Sequence, residues 1–346
     1  MVTRKDIASR LGVSVSVVSR ALNNSGYVDR EKKEQILELA RELGYSREPV
    51  AMRTEYAQSH LLLFYLRDTR NPFYIELYDG LTEAADEQGY GVLLFNSGSF
   101  EQIPRISADG IVFPNESLAV DYLKSAGKKY YLPAVSCSYG YSYLLPRGIP
   151  QIDCDVLSGT MMLIEHLRSR GHMKIAMISP EDISSFGIRV ISWQSAMVSV
   201  LGNRLSEYIF IIDEDSRSGA GSPSGRIRFC DYYERGSTGA KRFVESGCDA
   251  TAVICFNEEM ALGFCKKLTE LDVRVPEDLS VVTYDATYQS RFFPIPVTKI
   301  NLNPRIQGRL CAETLIDMIN GKHPERVRHV PIELIEGASV GVVNKG

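Results

Sequence analysis

From Leu61 onward the chain alternates short apolar runs with longer stretches of helical period, and this restricts the fold more than any other feature. Leu61–Leu66 (LLLFYL) is strand-sized and apolar throughout. Asn71-Pro72-Phe73-Tyr74 then opens a helical stripe through Leu77, Leu81 and Ala85 that stops at Gly89. Gly91–Phe95, Gly110–Pro114 and Pro133–Cys137 read as further strands, with a helix over Leu118–Ser125. A second set follows, with strands at Lys174–Ser179, Tyr208–Ile212, Ala252–Phe256 and Ser280–Tyr284. Its helices fall at Thr160–Arg170, Arg189–Leu201, Gly239–Ser246 and Glu259–Leu271. Repeated β-α-β imposes a parallel sheet with helices on both faces. The two sets are too long for one sheet. The expected fold class is therefore α/β, two doubly wound lobes in tandem, with a ligand cleft beyond the carboxyl ends of the strands.

The segment before Leu61 follows another rhythm. Asp6–Asn23 reads DIASRLGVSVSVVSRALN, two short helical patterns that meet at a tight turn. Ile7, Ala8 and Leu11 form one apolar face, and Val15, Val18 and Leu22 the next. Gly12 sits between them, where a reversing chain needs positive φ. Ser14 is placed to cap the second helix, and Thr3 with Asp6 forms a capping box in which Asp replaces the usual Glu or Gln. Helix, glycine turn, helix is the helix-turn-helix layout, whose second helix lies in the DNA major groove. The same pattern also fits an αα-corner in an ordinary helical domain. Two features favour DNA. The outward residues Ser16, Ser19 and Arg20 are short or basic, and up to Asn23 the cations Arg4, Lys5, Arg10 and Arg20 face Asp6 alone, in a chain of net charge −4. Asp29 caps a third helix with Ile36, Leu37, Ala40 and Leu43 on its stripe and Gly44 at its end. Ser46–His60 lacks a sustained period, carries Pro49 and reads as a linker.

Composition removes several classes. At 346 residues, 44% hydrophobic and 24% charged, the chain suits two or three globular domains, with no apolar run near the roughly 18 residues a membrane helix needs. The first residues lack an apolar h-region, so a cytoplasmic protein is expected. Seven scattered cysteines include no C-x-x-C pair and read as reduced thiols, not metal ligands. Ser216–Gly225 (SRSGAGSPSG) is a flexible surface loop; a phosphate loop would need Lys-Ser/Thr after its glycines. Without a nucleophile elbow, a metal pair or G-x-G-x-x-G after a strand, no enzyme activity and no cofactor are expected. A transporter's solute-binding protein would account for two lobes but not for the helical head.

Residues 3–45 resemble the N-terminal domain of the LacI/GalR transcriptional regulators, through DIASRLGVSVSVVSRALNNSGYV and LELARELGY. The body resembles the family's effector domain, itself similar to periplasmic sugar-binding proteins, through EHLRSRGHMKIAMI (165–178), FNEEMALG (256–263) and VPEDLSVVTYD (275–285). The resemblance implies a headpiece over 1–45, a hinge over 46–60 and an effector-binding, dimerising domain over 61–346. It implies a repressor of carbohydrate-utilisation genes that binds operator DNA as a homodimer. On the DNA side it casts Val15 and Ser16 as base-selecting residues and Arg20 as a guanine reader or a phosphate contact. Thr3, Ser14, Ser19 and Asn23 become phosphate contacts. In the hinge, Thr54 stands where Leu is usual and Glu48 and Pro49 also depart, while Ala51 fits; Met52 is the candidate minor-groove wedge.

For the effector, the resemblance points to Arg189 in R-V-I-S-W, with Ser192 in place of Gly and Trp193 at the aromatic position. It points also to Asn257, followed by Glu258 where Asp is usual, and to Asp285, with Thr283 for Gly and Ala286 for a second Asp. Asp155 opens the second lobe, and Phe73 and Tyr74 form an apolar wall. Plainer roles fit too. Arg189 and Asp285 can pair with each other, Asn257 and Asp155 can cap helices, and Trp193 can pack on a helix face. Arg, Asn and Asp together suit a polyhydroxyl ligand, because each hydroxyl donates and accepts at once, so a sugar is expected ahead of a purine.

Overall fold

The computed structural model describes residues 3–23, 26–43, 45, 58–96, 100–125, 132–140, 145–146, 148–180, 187–212 and 231–343. Gly44, the hinge residues Glu48, Pro49, Ala51, Met52 and Thr54, and the loop Ser216–Gly225 lie outside the described residues.

The headpiece contains α1 (Arg4–Leu11), α2 (Val15–Asn23) and α3 (Arg30–Glu42). Gly12 takes φ 62° between the first two, and Asp29 caps α3 by accepting from the Lys32 N–H at 3.1 Å. Ile7, Val18, Leu22, Ile36 and Ala40 form the core, closed by Tyr45. Val15 does not join its own apolar stripe. It is 45% exposed at the first position of α2 and lies outside the headpiece core.

Beyond the headpiece the chain runs β1 (Leu61–Tyr65), α4 (Pro72–Asp86), β2 (Gly91–Phe95), β3 (Gly110–Phe113), α5 (Glu116–Ser125), β4 (Ala134–Ser138) and β5 (Gln151–Cys154). It continues with α6 (Val156–Ser169), β6 (Ile175–Ser179), α7 (Ile188–Leu201), β7 (Ile209–Ile211), α8 (Tyr232–Ser246), β8 (Ala252–Cys255), α9 (Glu258–Glu270), β9 (Ser280–Tyr284) and β10 (Thr298–Asn301). It closes with α10 (Pro304–Ile319), β11 (Val327–Val330) and β12 (Glu333–Ile335).

These elements build two units, each on a six-stranded sheet. The first sheet has the order β11-β5-β4-β3-β1-β2 and the second β12-β10-β9-β8-β6-β7. Read from β2 or from β7, the first five strands of each follow the doubly wound order 2-1-3-4-5. In the first, Leu63 of β1 lies beside Ile111 of β3; in the second, Val253 of β8 lies beside Val281 of β9. The sequence expectation of two lobes strictly in tandem is corrected here. Pro304–His329, with α10 and most of β11, belongs to the first unit, and the chain from Val330 returns to the second.

Two helices, α6 and α8, start a full turn or more before periodicity predicts. α6 begins at Val156 because Asp155 caps it, accepting from the Ser158 N–H at 2.9 Å. α8 begins at Tyr232 because Asp231 does the same for Glu234 at 3.0 Å. Each unit also has one helix crossing in which glycines admit the backbone of the partner helix. A Cβ on Gly80 would stand 2.0 Å from the Arg305 carbonyl, and one on Gly308 would stand 1.9 Å from that of Leu77, where α4 meets α10. Where α8 meets α9, a Cβ on Gly236 would stand 1.9 Å from the Met260 carbonyl and one on Gly263 2.0 Å from that of Tyr233. Backbone cannot yield as a flexible side chain can. Gly263→Ala and Gly308→Ala should each cost about 3 kcal/mol, the upper end for overpacking, measured by urea unfolding. An unchanged midpoint in either variant contradicts the crossing geometry.

His172 is buried in the second unit, with Nδ1 2.9 Å from Thr251 Oγ1 and Nε2 3.1 Å from the Gly341 carbonyl and 3.0 Å from Ser280 Oγ. Burial holds its imidazole below the ordinary histidine range, and burial does the same to His166. The unfolded chain then takes up protons first as pH falls through about 6.5, so both residues stabilise the fold above that pH and progressively less below it. The melting temperature should fall between pH 7.5 and 5.5, and His172→Gln should flatten that fall. A slope unchanged by the substitution contradicts the assignment.

Candidate functional site

The DNA-facing candidates are positioned by the caps and core of the headpiece. Thr3 Oγ1 and the Thr3 N–H each lie 2.7 Å from Asp6 Oδ2, and their donation holds the Asp6 carboxyl below its usual range, while Thr3 Oγ1 accepts from the Asp6 N–H at 3.3 Å. Ser14 Oγ accepts from the Val17 N–H at 3.3 Å and lies 2.9 Å from Ser16 Oγ. With Val18 and Leu22 buried on the inner face of α2, its outer face presents Val15, Ser16 and Arg20. Arg20 leans along its own helix, with Nε 3.4 Å from the Ser16 carbonyl and Nη1 3.5 Å from the Tyr27 carbonyl. It has no carboxylate within ion-pair reach among the described residues, so its charge is not neutralised internally. Ser19 is half-buried and accepts from Arg4 Nη1 at 3.2 Å, and Arg4 Nε donates to Tyr45 Oη at 2.8 Å. Tyr45 therefore ties the start of α1 to the end of the headpiece, a role that its position after a glycine did not disclose. Tyr27, 86% exposed in the turn before α3, is a further surface group that periodicity could not assign. The Asn23 side chain and Met52 lie outside the described residues.

At the carboxyl edge of the second sheet, three elements converge on one guanidinium. Arg189, in the first turn of α7, donates through Nη1 to the Phe256 carbonyl and through Nη2 to Asp285 Oδ1 at 3.3 Å. Its guanidinium carbon lies 4.6 Å from the Phe256 ring centre and 4.7 Å from that of Tyr284. Asp285 follows β9 with φ 72°, which turns its carboxylate back across the edge. Tyr284 Oη lies 2.8 Å from Thr160 Oγ1, and burial pushes this phenol up to about 12, so it stays neutral. Asn257 follows β8 and caps α9, its Oδ1 accepting from the Met260 N–H at 2.9 Å; its amide NH2 is the group it can offer a ligand. Tyr232 stacks on Phe256 with ring centres 6.0 Å apart, an aromatic wall absent from the sequence expectation.

The structure thus brings Arg189, Asn257 and Asp285 together, and it assigns Asp155 to capping, where Oδ2 also accepts from Ser158 Oγ at 2.6 Å. Trp193 is withdrawn from the site. It is 1% exposed and its ring N–H donates to the Ile175 carbonyl at 3.0 Å, because in the second turn of α7 it faces the sheet rather than its edge. Phe73 is buried at the start of α4, its N–H donating to Asn71 Oδ1 at 3.0 Å, and half-buried Tyr74 accepts from Asn115 Nδ2 at 3.4 Å.

Glu258 explains itself structurally. Its Oε2 accepts from the Thr287 N–H at 2.8 Å and from Thr287 Oγ1 at 2.7 Å, while Oε1 lies 2.8 Å from Lys299 Nζ and also accepts from Ser290 Oγ. This buried pair anchors the turn Tyr288–Phe292 behind Asp285. Thr283 Oγ1 donates to the Cys255 carbonyl at 3.2 Å and Ser192 Oγ to the Ile188 carbonyl at 2.7 Å, so both hydroxyls are buried with backbone partners.

Three family models match: bacterial regulatory proteins of the lacI family over residues 3–48, the periplasmic binding proteins and sugar binding domain of the LacI family over 59–202, and a periplasmic binding protein-like domain over 164–340. The chain belongs to the LacI/GalR family of transcriptional regulators. Among its relatives are the HTH-type transcriptional repressors PurR of Vibrio atlanticus, 27% identical over 99% of this chain and 100% of its own length, and of Haemophilus influenzae, 26% identical over 93% and 92%. Solved structures with the same fold include a CelR–cellobiose complex (TM-score 0.63, 22% identity, 98% of this chain and 100% of that one). They also include the lac repressor dimer bound to operator and an anti-inducer (TM-score 0.62, 22% identity, 99% of each). A LacI family regulator from Enterococcus faecium with bound ribose has a TM-score of 0.65 at 20% identity, covering 82% of this chain and 100% of that one. As a family member, the chain is a DNA-binding transcriptional repressor with an effector domain. Among the described residues no helix is long and apolar enough to cross a membrane, and no group of three or more His, Cys, Asp or Glu could hold a metal ion.

Removing one partner of a buried ion pair strands the other. Glu258→Gln should lower stability by about 3–5 kcal/mol, and Glu258→Gln with Lys299→Met should recover most of it in urea unfolding. Equal loss in the single and double variants contradicts the pairing.

Proposed function

We propose that this LacI/GalR regulator represses carbohydrate-utilisation genes and that a sugar, held at the carboxyl edge of the second sheet, controls its grip on DNA. The observation that carries the reading is the Arg189–Asp285 pair flanked by Phe256, Tyr284 and Asn257. A hydroxyl can accept from the guanidinium and donate to the carboxylate at once, the Asn257 amide adds a donor, and Phe256 offers an apolar face. The Phe256–Tyr232 stack also suits a flat heterocycle, which makes a purine the second reading. Thermal-shift measurements with mono- and disaccharides and with purine bases separate the two, since only a selective ligand raises the melting temperature. Arg189→Gln should abolish the shift, and because it strands the buried Asp285 carboxylate it should also lower the unliganded melting temperature. A shift retained in Arg189→Gln removes this edge as the effector site.

On DNA, Arg20 donates to a guanine, Val15 meets a thymine methyl, Ser16 reaches a neighbouring base edge, and Thr3, Ser14, Ser19 and Asn23 meet phosphates. Met52 is the wedge for the minor groove. The working unit is a cytoplasmic homodimer, because one small headpiece grips weakly and two on half-sites about 34 Å apart gain avidity. A ligand moves the balance only by its differential affinity for the two states, and reversal from 1:99 to 99:1 needs about 5.5 kcal/mol. Arg20→Ala should cost about 1–3 kcal/mol of discrimination in gel shifts, with non-specific binding little changed. Equal loss on specific and non-specific DNA makes Arg20 a phosphate contact.

A further inference from the structure

Two cysteines distant in the chain meet inside the first unit. Cys137 of β4 and Cys311 of α10 are free thiols, both fully buried, and their sulfurs lie 3.6 Å apart. Neighbours on either side along α10 fix this approach. Gln307, one turn before, donates to the Ile152 carbonyl at 2.9 Å, and its Oε1 accepts from Tyr139 Oη at 3.3 Å. Leu315, one turn after, fills the space over Gly110 of β3, where a Cβ would stand 2.7 Å from its Cδ1. The glycine crossing at Gly308 and Leu77 holds the same helix against α4. The sulfurs are therefore kept in contact by the packing of α10, since a hydrogen bond from a thiol is weak. A disulfide needs about 2.05 Å between sulfurs, so about 1.5 Å of approach separates the two thiols from a bond.

The chain leaves the first unit after Asp153 and re-enters it at Pro304, and the two cysteines stand 174 positions apart across that excursion. A bond between them would close a loop containing residues 154–303 of the second unit and tie the returning helix to β4. Cross-linking residues so far apart in sequence restricts the unfolded chain strongly. We propose that Cys137 and Cys311 form a hydroperoxide-responsive dithiol whose disulfide fastens α10 to β4. One thiolate attacks a peroxide oxygen and breaks the O–O bond; the expelled hydroxide takes a proton and leaves as water, and the sulfur is now a sulfenic acid. The second thiolate attacks that sulfur, forming the S–S bond as the S–O bond breaks, and the second hydroxide leaves as water with the remaining thiol proton. Two thiols and one hydrogen peroxide give one disulfide and two waters, with two electrons passing from sulfur to oxygen. Because the second thiol is already in contact, the sulfenic acid is captured before further oxidation to sulfinic acid. Burial selects the oxidant. A small hydroperoxide reaches the pair through slight opening of α10, whereas a bulky disulfide such as oxidised glutathione needs a far larger one.

The full chain, reduced and desalted, is exposed to hydrogen peroxide, capped with N-ethylmaleimide and mapped by peptide mass spectrometry without reduction. A Cys137–Cys311 cross-linked peptide should appear, lighter by two hydrogens than its two parts. The melting temperature should rise by about 5–10 °C and return with dithiothreitol. Oxidised glutathione should give far less of the cross-link. Cys137→Ala and Cys311→Ala should each abolish the difference between oxidised and reduced protein, a readout that holds even where the variant itself melts lower. Cys248→Ser, at a half-buried thiol of the second unit, should keep it. Sulfinic acid at either residue without the cross-link, a cross-link that leaves the melting temperature unchanged, or a rise that survives in Cys311→Ala overturns the proposal. Oxidised glutathione acting as readily as peroxide overturns the choice of oxidant.

Discussion

Arg189 is the point at which the second unit's sequence becomes chemistry. Its guanidinium lies against two aromatic rings and is shared between a backbone carbonyl and Asp285, so its orientation is fixed before any ligand arrives. A pre-oriented fork loses little freedom on binding, and that is where selectivity for a small polar molecule originates. Everything around it serves that placement. The φ of Asp285 folds its carboxylate back, Thr160 engages the Tyr284 hydroxyl, and the Glu258–Lys299 pair pins the turn behind.

The two units reach the same architecture by the same means. Each has the 2-1-3-4-5 strand order, an added edge strand and one glycine-lined helix crossing. The five parallel strands of this order put their carboxyl ends on one side, so residues far apart in sequence, such as Arg189, Asn257 and Asp285, arrive at one edge. The units differ in electrostatics. Arg189 is neutralised within its own unit, whereas Arg67 rests on Tyr65 and Phe100 with no acidic partner among the described residues.

The legible parts of the sequence were those whose physics is local. AVIC is apolar throughout and SVVTY largely so because both faces of their strands are covered, and Thr3, Ser14 and Asp29 are short polar residues set where helix N-termini need acceptors. Harder elements depend on partners distant in the chain. QIDC alternates polar with apolar residues and TKIN is mostly polar, and they become strands through neighbours contributed by β4 and β9. Gln307 makes α10 look exposed, yet its amide donates to the Ile152 carbonyl at 2.9 Å in the first unit's interior. Trp193 was misplaced because a motif gives a residue's position along a helix and not which face meets the sheet. Lys299 was invisible because a buried lysine is intelligible only beside Glu258.

Control of DNA by a small ligand is a coupling free energy, and coupling is reciprocal: whatever factor the ligand imposes on operator affinity, the operator imposes on ligand affinity. The most direct measurement is the dissociation constant of the best-bound sugar, determined with and without saturating operator duplex. The account predicts that the two constants differ, by the same factor that the sugar produces in operator binding. Identical constants, from a protein that binds both partners, would contradict it.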